Sequence, residues 1–185
     1  MKPILLDLPE SFETARILIR VAKPGDGPAF NEAIVESLEH LRPWLAWTQE
    51  APSLEHSEAV CRRAYTRYLL REDVMMFFFL KETGELVGGG GLHDIDWDFR
   101  RFEIGYWGRR KSCGRGLLSE AVRGVVDFAR ENLQPRRIFL TTDARNERSW
   151  RLAERIGFVL EGVLVAEKFD VAGEPRDTRI YRFPL

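Results

Sequence analysis

Arg109-Arg110-Lys111-Ser112-Cys113-Gly114-Arg115-Gly116-Leu117-Leu118-Ser119-Glu120-Ala121 is a basic loop with two glycines that runs into a helix. The run before it, Arg101 to Trp107, is strand-like. After it Leu118, Ala121, Val122, Val125, Val126 and Ala129 recur at helical spacing. A strand, a glycine-containing loop and a helix start can aim several main-chain N–H groups at one anion. The first N–H groups of a helix have no internal acceptor, and the helix dipole adds partial positive charge there. Gly114 and Gly116 carry no Cβ to hold a phosphate off, and Arg109, Arg110, Lys111 and Arg115 add full charges. The stretch therefore reads as a diphosphate cradle, in competition with an ordinary basic surface turn. Neither common nucleotide fingerprint fits: Gly-x-Gly-x-x-Gly would need glycine at Ser119, and no Gly-Lys-Ser/Thr follows a glycine-rich loop.

The chain has 185 residues, enough for one domain that removes about 70% of its surface from water. Its 28 basic and 29 acidic residues leave a formal charge of -1, which argues against a nucleic-acid binder that relies on bulk positive charge. The apolar run in Met1–Asp7 is too short for a signal peptide, and no run approaches the ~20 residues that span a bilayer, so a cytoplasmic protein without a membrane partner is expected. Cys61 and Cys113 make neither a disulfide framework nor a zinc site.

Working outward, Glu13–Ala22 reads as a strand and Pro28 to about Glu39 as a helix. An aromatic segment, Leu41–Trp47, comes next, and a second helix starts near Ser53. Val74–Leu80 and Leu86–Leu92 are strands around the turn Glu82–Glu85. The first is apolar on both faces, hence central. The second contains four consecutive glycines, tolerated best where another backbone or a ligand comes close. Arg100–Trp107 leads into the cradle, and the helix beyond runs from Gly116 to Asn132. Arg136–Thr142 is a strand, Asn146–Ile156 a short helix, and Phe158–Lys168 and Thr178–Phe183 are strands. Helices bracketed by strands indicate a layered α/β domain, with no internal boundary in residues 1–185.

The cradle resembles the coenzyme-A signature of the GNAT acyltransferases, Gln/Arg-x-x-Gly-x-Gly/Ala, and within that family the branch acetylating ribosomal-protein N-termini (RimJ/RimL-like). Cys113 stands where the general pattern has Gln/Arg, and Leu118 where it has Gly/Ala, a position from which a leucine would crowd the diphosphate. A second family element, Asn-x-x-Ser followed by Gly-Phe, is similar to Asn146-Glu-Arg-Ser149 and Gly157-Phe158. The resemblance covers nearly the whole chain. It implies a mixed, mostly antiparallel seven-stranded sheet with helices on both faces, splayed at strands 4 and 5, with an acyl-coenzyme-A-binding core at about residues 99–160.

It further implies acetyl-coenzyme A as co-substrate, no metal, and a monomer or homodimer. The amides of Tyr106, Trp107 and Gly108 would contact the pantetheine arm and the nascent oxyanion; Arg109 and Cys113, Gly114, Arg115, Gly116, Leu117 and Leu118 would hold the diphosphate. Asn146 would bond pantetheine or cap its helix, and Ser149 would protonate the leaving sulfur. Glu103 is the candidate base, although alternation with Phe102 and Ile104 equally suits a solvent-facing carboxylate paired with Arg101. Trp44 and Trp47 form either a wall over the acceptor or core packing, and His93 is either a titrating group or a satisfied one. Cys113, set among Arg110, Lys111 and Arg115, is expected to favour its thiolate and so to be open to a mixed disulfide with coenzyme A. The implied activity is acetyl transfer to a primary amine, with a protein N-terminus as one acceptor. The alternatives are a small-amine transferase for an antibiotic or polyamine, drawing cations with Asp94 and Asp96, and an inactive acyl-coenzyme-A-binding module.

Overall fold

The computed structural model describes residues 2–185. One eight-stranded sheet, in the order β1-β2-β3-β4-β5-β6-β8-β7, carries helices on both faces. The strands are β1 (Ser11–Glu13), β2 (Ile17–Val21), β3 (Val74–Leu80), β4 (Leu86–Asp96), β5 (Arg101–Gly108), β6 (Arg137–Asp143), β7 (Val159–Phe169) and β8 (Pro175–Phe183). The expected count was seven. The difference lies at the start, where the expected strand Glu13–Ala22 is β2 and a further strand, β1, precedes it. The Thr14 amide bonds the Ile17 carbonyl at 2.8 Å, which folds the chain back and makes β1 a short edge strand on β2.

Helices α1 (Gly27–Leu41) and α2 (Leu54–Leu69) lie on one face; α3 (Leu117–Leu133) and α4 (Glu147–Arg155) lie on the other. The alternation of β3 assigns the faces: Met76 and Phe78 join the core with Ala121, Val122 and Val125, whereas Phe77 joins Phe30, Ala33 and Ile34. With both faces covered, the apolar β3 is central as expected. Ser53 caps α2, its hydroxyl accepting the His56 amide at 3.0 Å.

Every pairing is antiparallel except that between β5 and β6. That parallel pairing covers only Arg101, Phe102 and Glu103 against Arg137, Ile138 and Phe139. Beyond it the strands part. Ile104–Gly108 stays on β4 and Leu140–Asp143 stays on β8, so the sheet opens into a V between them.

The four glycines of β4 admit close neighbours. A Cβ on Gly88 would come within 2.5 Å of the Trp107 carbonyl, and one on Gly90 within 2.4 Å of the Gly105 carbonyl. Leu118 leans into the same gap: a Cβ on Gly108 would meet its side chain at 3.0 Å. Gly90→Ala is therefore expected to lower the urea midpoint, at a cost of ~1–3 kcal/mol from overpacking; an unchanged midpoint would show that β5 can shift freely.

Candidate active site

The loop between β5 and α3 is clamped from two sides. Arg109, only 3% exposed, turns its guanidinium away from solvent toward α1, where its Nη2 lies 2.6 Å from Glu36 and also bonds Glu32. The Arg109 amide bonds the Val87 carbonyl at 2.9 Å. The side chain thus clamps the loop to α1, while Arg109 also stands in the lining of the cleft described below. Glu36 also takes the Lys111 amide at 3.1 Å, and the Ser37 hydroxyl takes that of Arg110 at 3.0 Å. From the other side, Arg16 bonds the Arg115 carbonyl at 3.2 Å and pairs with Glu120 on the first turn of α3 at 2.6 Å. The acids Glu32 and Glu36, one helical turn apart, escaped the sequence reading, as did Arg16.

Held this way, the loop presents unused donors. The amides of Gly114, Arg115, Gly116, Leu117, Leu118 and Ser119 have no protein acceptor among the described residues. Gly114 and Gly116 have φ of 78° and 76°, a left-handed backbone that glycine adopts without strain. A Cβ on Gly114 would meet no protein atom, so backbone conformation is what the position requires of the protein itself. Free amides at the start of a helix suit a diphosphate.

These donors face a cleft of about 860 Å³ lined by Gly108, Cys113, Gly114, Gly116 and Leu118 on one side and by Arg148, Arg151 and Arg155 of α4 on the other. The volume is in the range that holds a large cofactor. Of the expected ligands, Leu117 is buried in the core and can offer only its amide, and the exposed Arg115 side chain lies outside the lining. Leu118 lines the cleft while packing its side chain against Gly88 and Gly108. The α4 arginines were missed, although their helical spacing marks a basic stripe.

Cys113 behaves differently from the expectation. It donates weakly to the Arg109 carbonyl at 3.5 Å, and burial pushes the thiol up despite the lowering influence of Arg148 and Arg110. Although Cys113 is exposed as a residue, protein atoms crowding its sulfur raise the thiol more than the charges of Arg148 and Arg110 lower it.

At the mouth of the V, Tyr106 and Ser149 meet. The Tyr106 hydroxyl donates to the Ser149 carbonyl at 2.8 Å, and the Ser149 hydroxyl lies 3.3 Å from the Tyr106 oxygen. Burial pushes the Tyr106 phenol up to about 12, so it keeps its proton at neutral pH. Asn146 Oδ1 accepts the Ser149 amide at 3.3 Å and caps α4, leaving Nδ2 available. Because Ile104–Gly108 lacks a β6 partner, the peptide groups of alternate residues, Ile104, Tyr106 and Gly108, open toward the split, whereas the Trp107 carbonyl faces β4 beside Gly88, which corrects the expectation that the Trp107 amide meets the cofactor. The Trp107 ring itself is buried against Phe30 and Trp47. Trp44, by contrast, is 37% exposed and lines the cavity in the V together with Tyr106 and Ser149.

Glu103 occupies the last paired position of β5 and accepts the Thr141 hydroxyl at 2.5 Å. Thr141 lines the cavity, which brings the carboxylate one hydroxyl away from it. Arg101 pairs with Asp94 instead, at 3.1 Å, and Asp96 accepts the Phe99 amide at 2.9 Å. Neither acid lines a cleft near Ser149, so their expected attraction for a cationic acceptor has no structural basis. His93 is satisfied by Asp73 at 2.8 Å. Among the described residues no group of histidine, cysteine and carboxylate side chains is arranged to hold a metal, and no helix is long and apolar enough to cross a membrane.

The Acetyltransferase (GNAT) domain family matches residues 16–159. The chain belongs to the GNAT acetyltransferases. YdaF of Bacillus subtilis (strain 168), named provisionally as a ribosomal N-acetyltransferase, is 31% identical over 150 residues, 79% of each chain. The ribosomal-protein-serine acetyltransferase of Escherichia coli (strain K12) is 28% identical over 131 residues, covering 69% of this chain and 73% of its own. The solved structure of RimL, a ribosomal L7/L12 alpha-N-protein acetyltransferase in complex with coenzyme A, superimposes with a TM-score of 0.86 at 21% identity, over 94% of this chain and 97% of RimL. As a GNAT N-acetyltransferase of the RimJ/RimL-like branch, the protein has the splayed sheet expected of the family, with one extra edge strand.

Two outcomes distinguish clamp from ligand. Arg109→Met is expected to destabilise the fold by ~1–3 kcal/mol, since Glu36 loses its partner in a partly screened setting. Burial pushes the Glu36 carboxyl up, but bonds from Arg109 and the Lys111 amide outweigh it and hold it below its ordinary value. The clamp's contribution is therefore present above about pH 4.5 and lost as pH falls below it. Urea midpoints between pH 3 and 7 should converge for the two proteins at the acid end; a constant gap would contradict the assignment. Arg148→Ala with Arg155→Ala should instead leave the midpoint in place and weaken coenzyme A about tenfold by calorimetry; unchanged affinity would remove α4 from the site.

Proposed function

We propose that the protein transfers an acetyl group from acetyl-coenzyme A directly to a primary amine, and that the amine is the N-terminus of a protein of the ribosomal class. The observation that supports this best is the continuity of the unused amides of Gly114–Ser119 with the V-shaped split between β5 and β6. A cofactor gripped at the helix end and laid along β5 points its thioester into the split. The protein N-terminus as acceptor comes from the names of the relatives, YdaF and the Escherichia coli ribosomal-protein-serine acetyltransferase. An acceptor of that class puts the reaction in the cytoplasm. The cofactor-binding core spans about residues 99–160.

In this reading the amides of Gly114, Gly116, Leu118 and their neighbours hold the diphosphate, flanked by Arg148, Arg151 and Arg155. Cleft-facing peptide groups of Tyr106 and Gly108 and the Nδ2 of Asn146 hold the pantetheine arm. The amine loses a proton through a water or the Thr141 hydroxyl to Glu103. As the C–N bond forms, charge on the carbonyl oxygen is met by a β5 amide. The C–S bond then breaks and the sulfur takes a proton from the Ser149 hydroxyl, which donates to the Tyr106 oxygen in the free protein, turns to the sulfur on reaction and regains a proton from water.

Turnover of acetyl-coenzyme A with peptides beginning in serine or alanine tests the acceptor. Production of acetylated peptide is expected; release of coenzyme A only with polyamines or aminoglycosides would favour the small-amine alternative, and none with any amine would favour the binding module. Glu103→Gln and Ser149→Ala should each lower kcat about 100-fold with little change in coenzyme-A affinity. An unchanged kcat in either variant removes that residue from the chemistry.

A further inference from the structure

One cation at the acceptor end of the cleft, Arg176, makes no direct ion pair among the described residues, although, against the raising effect of burial and alongside Arg145, its charge helps hold the Asp143 carboxyl below its ordinary value. The cavity of about 310 Å³ between the parted strands is lined by Asp143, Asp170 and Arg176 beside Trp44, Thr141 and Ser149. Arg176 is the single basic side chain in that lining among the described residues. Both acids are held by Arg145, which stands outside the lining, at 2.7 Å for Asp143 and 2.9 Å for Asp170. Arg176 therefore gains no ion pair from the acids that share its wall. Its Nη1 is shut off from water without a hydrogen-bond partner. Its neighbour across the β7–β8 ladder is another cation, Lys168, and Lys168 pairs with Glu167. Like charges placed opposite in a ladder destabilise it, and a poorly hydrated guanidinium without an acceptor is a standing attraction for an anion.

We propose that Arg176 recognises a carboxylate on the acceptor, close in the molecule to the amine that is acetylated. This rests on the amine-acceptor reading above and names the acceptor chemistry. The planar guanidinium matches a carboxylate through parallel N–H···O bonds, which a neutral amide of the same shape cannot equal. Asp143 and Asp170, balanced by a single Arg145, add negative charge to the same lining, which favours an ammonium nearby. The mixed lining suits a group that carries an amine and an acid a few atoms apart. Two sources provide that pattern: an acidic side chain at the second position of a peptide, and the α-carboxylate of a free amino acid.

The test compares kcat/KM for peptides beginning Ser-Asp, Ser-Asn and Ser-Lys, and for free serine against serinamide, in the wild type, Arg176→Gln and Arg176→Glu. The wild type is expected to prefer Ser-Asp over Ser-Asn about tenfold. That ratio should fall to near unity in Arg176→Gln, and Ser-Lys should lead in Arg176→Glu. A preference for serine over serinamide without one among the peptides assigns the carboxylate to a free amino acid. Equal rates for the isosteres in the wild type, or a preference that survives both substitutions, overturns the proposal. Should no amine be acetylated, the amine-acceptor reading fails by itself, and calorimetry on the coenzyme-A-loaded protein decides the carboxylate site. Binding of acetyl-Ser-Asp-amide in preference to acetyl-Ser-Asn-amide, lost in Arg176→Gln, supports it; equal binding or none overturns it.

Discussion

Three residue pairs hold β5 to β6, and the parting of the two strands just after Glu103 and Phe139 creates the interior on which the rest depends. Each strand is anchored on its outer side, β5 by the glycine run of β4 and β6 by β8, so neither can swing across to close the gap. A backbone opened in this way leaves polar groups without ladder partners in the middle of a domain. Such groups are costly unless water or a ligand meets them. The split thus offers main-chain donors and acceptors to a ligand, with Tyr106, Thr141 and Ser149 in one cavity wall and Glu103 bonded to Thr141 behind it.

The cofactor end shows a division of labour between buried and exposed cations. Arg109 and Arg16 hold the loop, while Arg148, Arg151 and Arg155 face the cleft. A loop held by internal ion pairs presents its amides without having to order itself at binding, so less conformational entropy is lost at that step. The same arrangement ties α1, the loop and the first turn of α3 together through Glu36, Ser37 and Glu120. A change at Glu36, remote from the cofactor in sequence, therefore reaches the geometry of the site.

Much of this was legible in the chain. Periodicity located the long helices and the central strand, and the glycines at 114 and 116 marked the loop, because left-handed backbone leaves a trace in residue type. The partition of the basic run was not legible. Arg109, Arg110, Lys111 and Arg115 look alike as letters, and what turns Arg109 inward is a pair of glutamates on another helix. Cys113 misled for a related reason: charges show in sequence, whereas the protein atoms that crowd the sulfur of this otherwise exposed residue do not. β1 escaped notice because it is only three residues long and its hairpin to β2 has no glycine or proline at the turn to break the pattern. Arg176 and Arg145 are both arginines beside acids, and only geometry shows that one of them is paired.

The account stands on the amides of Gly114 through Ser119 gripping the diphosphate. Titration of nitrogen-15-labelled protein with coenzyme A, followed by amide chemical shifts, tests it most directly. The resonances of Gly114, Gly116, Leu118 and Ser119 should move strongly with coenzyme A and stay in place with pantetheine alone, which lacks the diphosphate. If those amides hold their positions while coenzyme A binds, the cofactor is held elsewhere and the account is wrong.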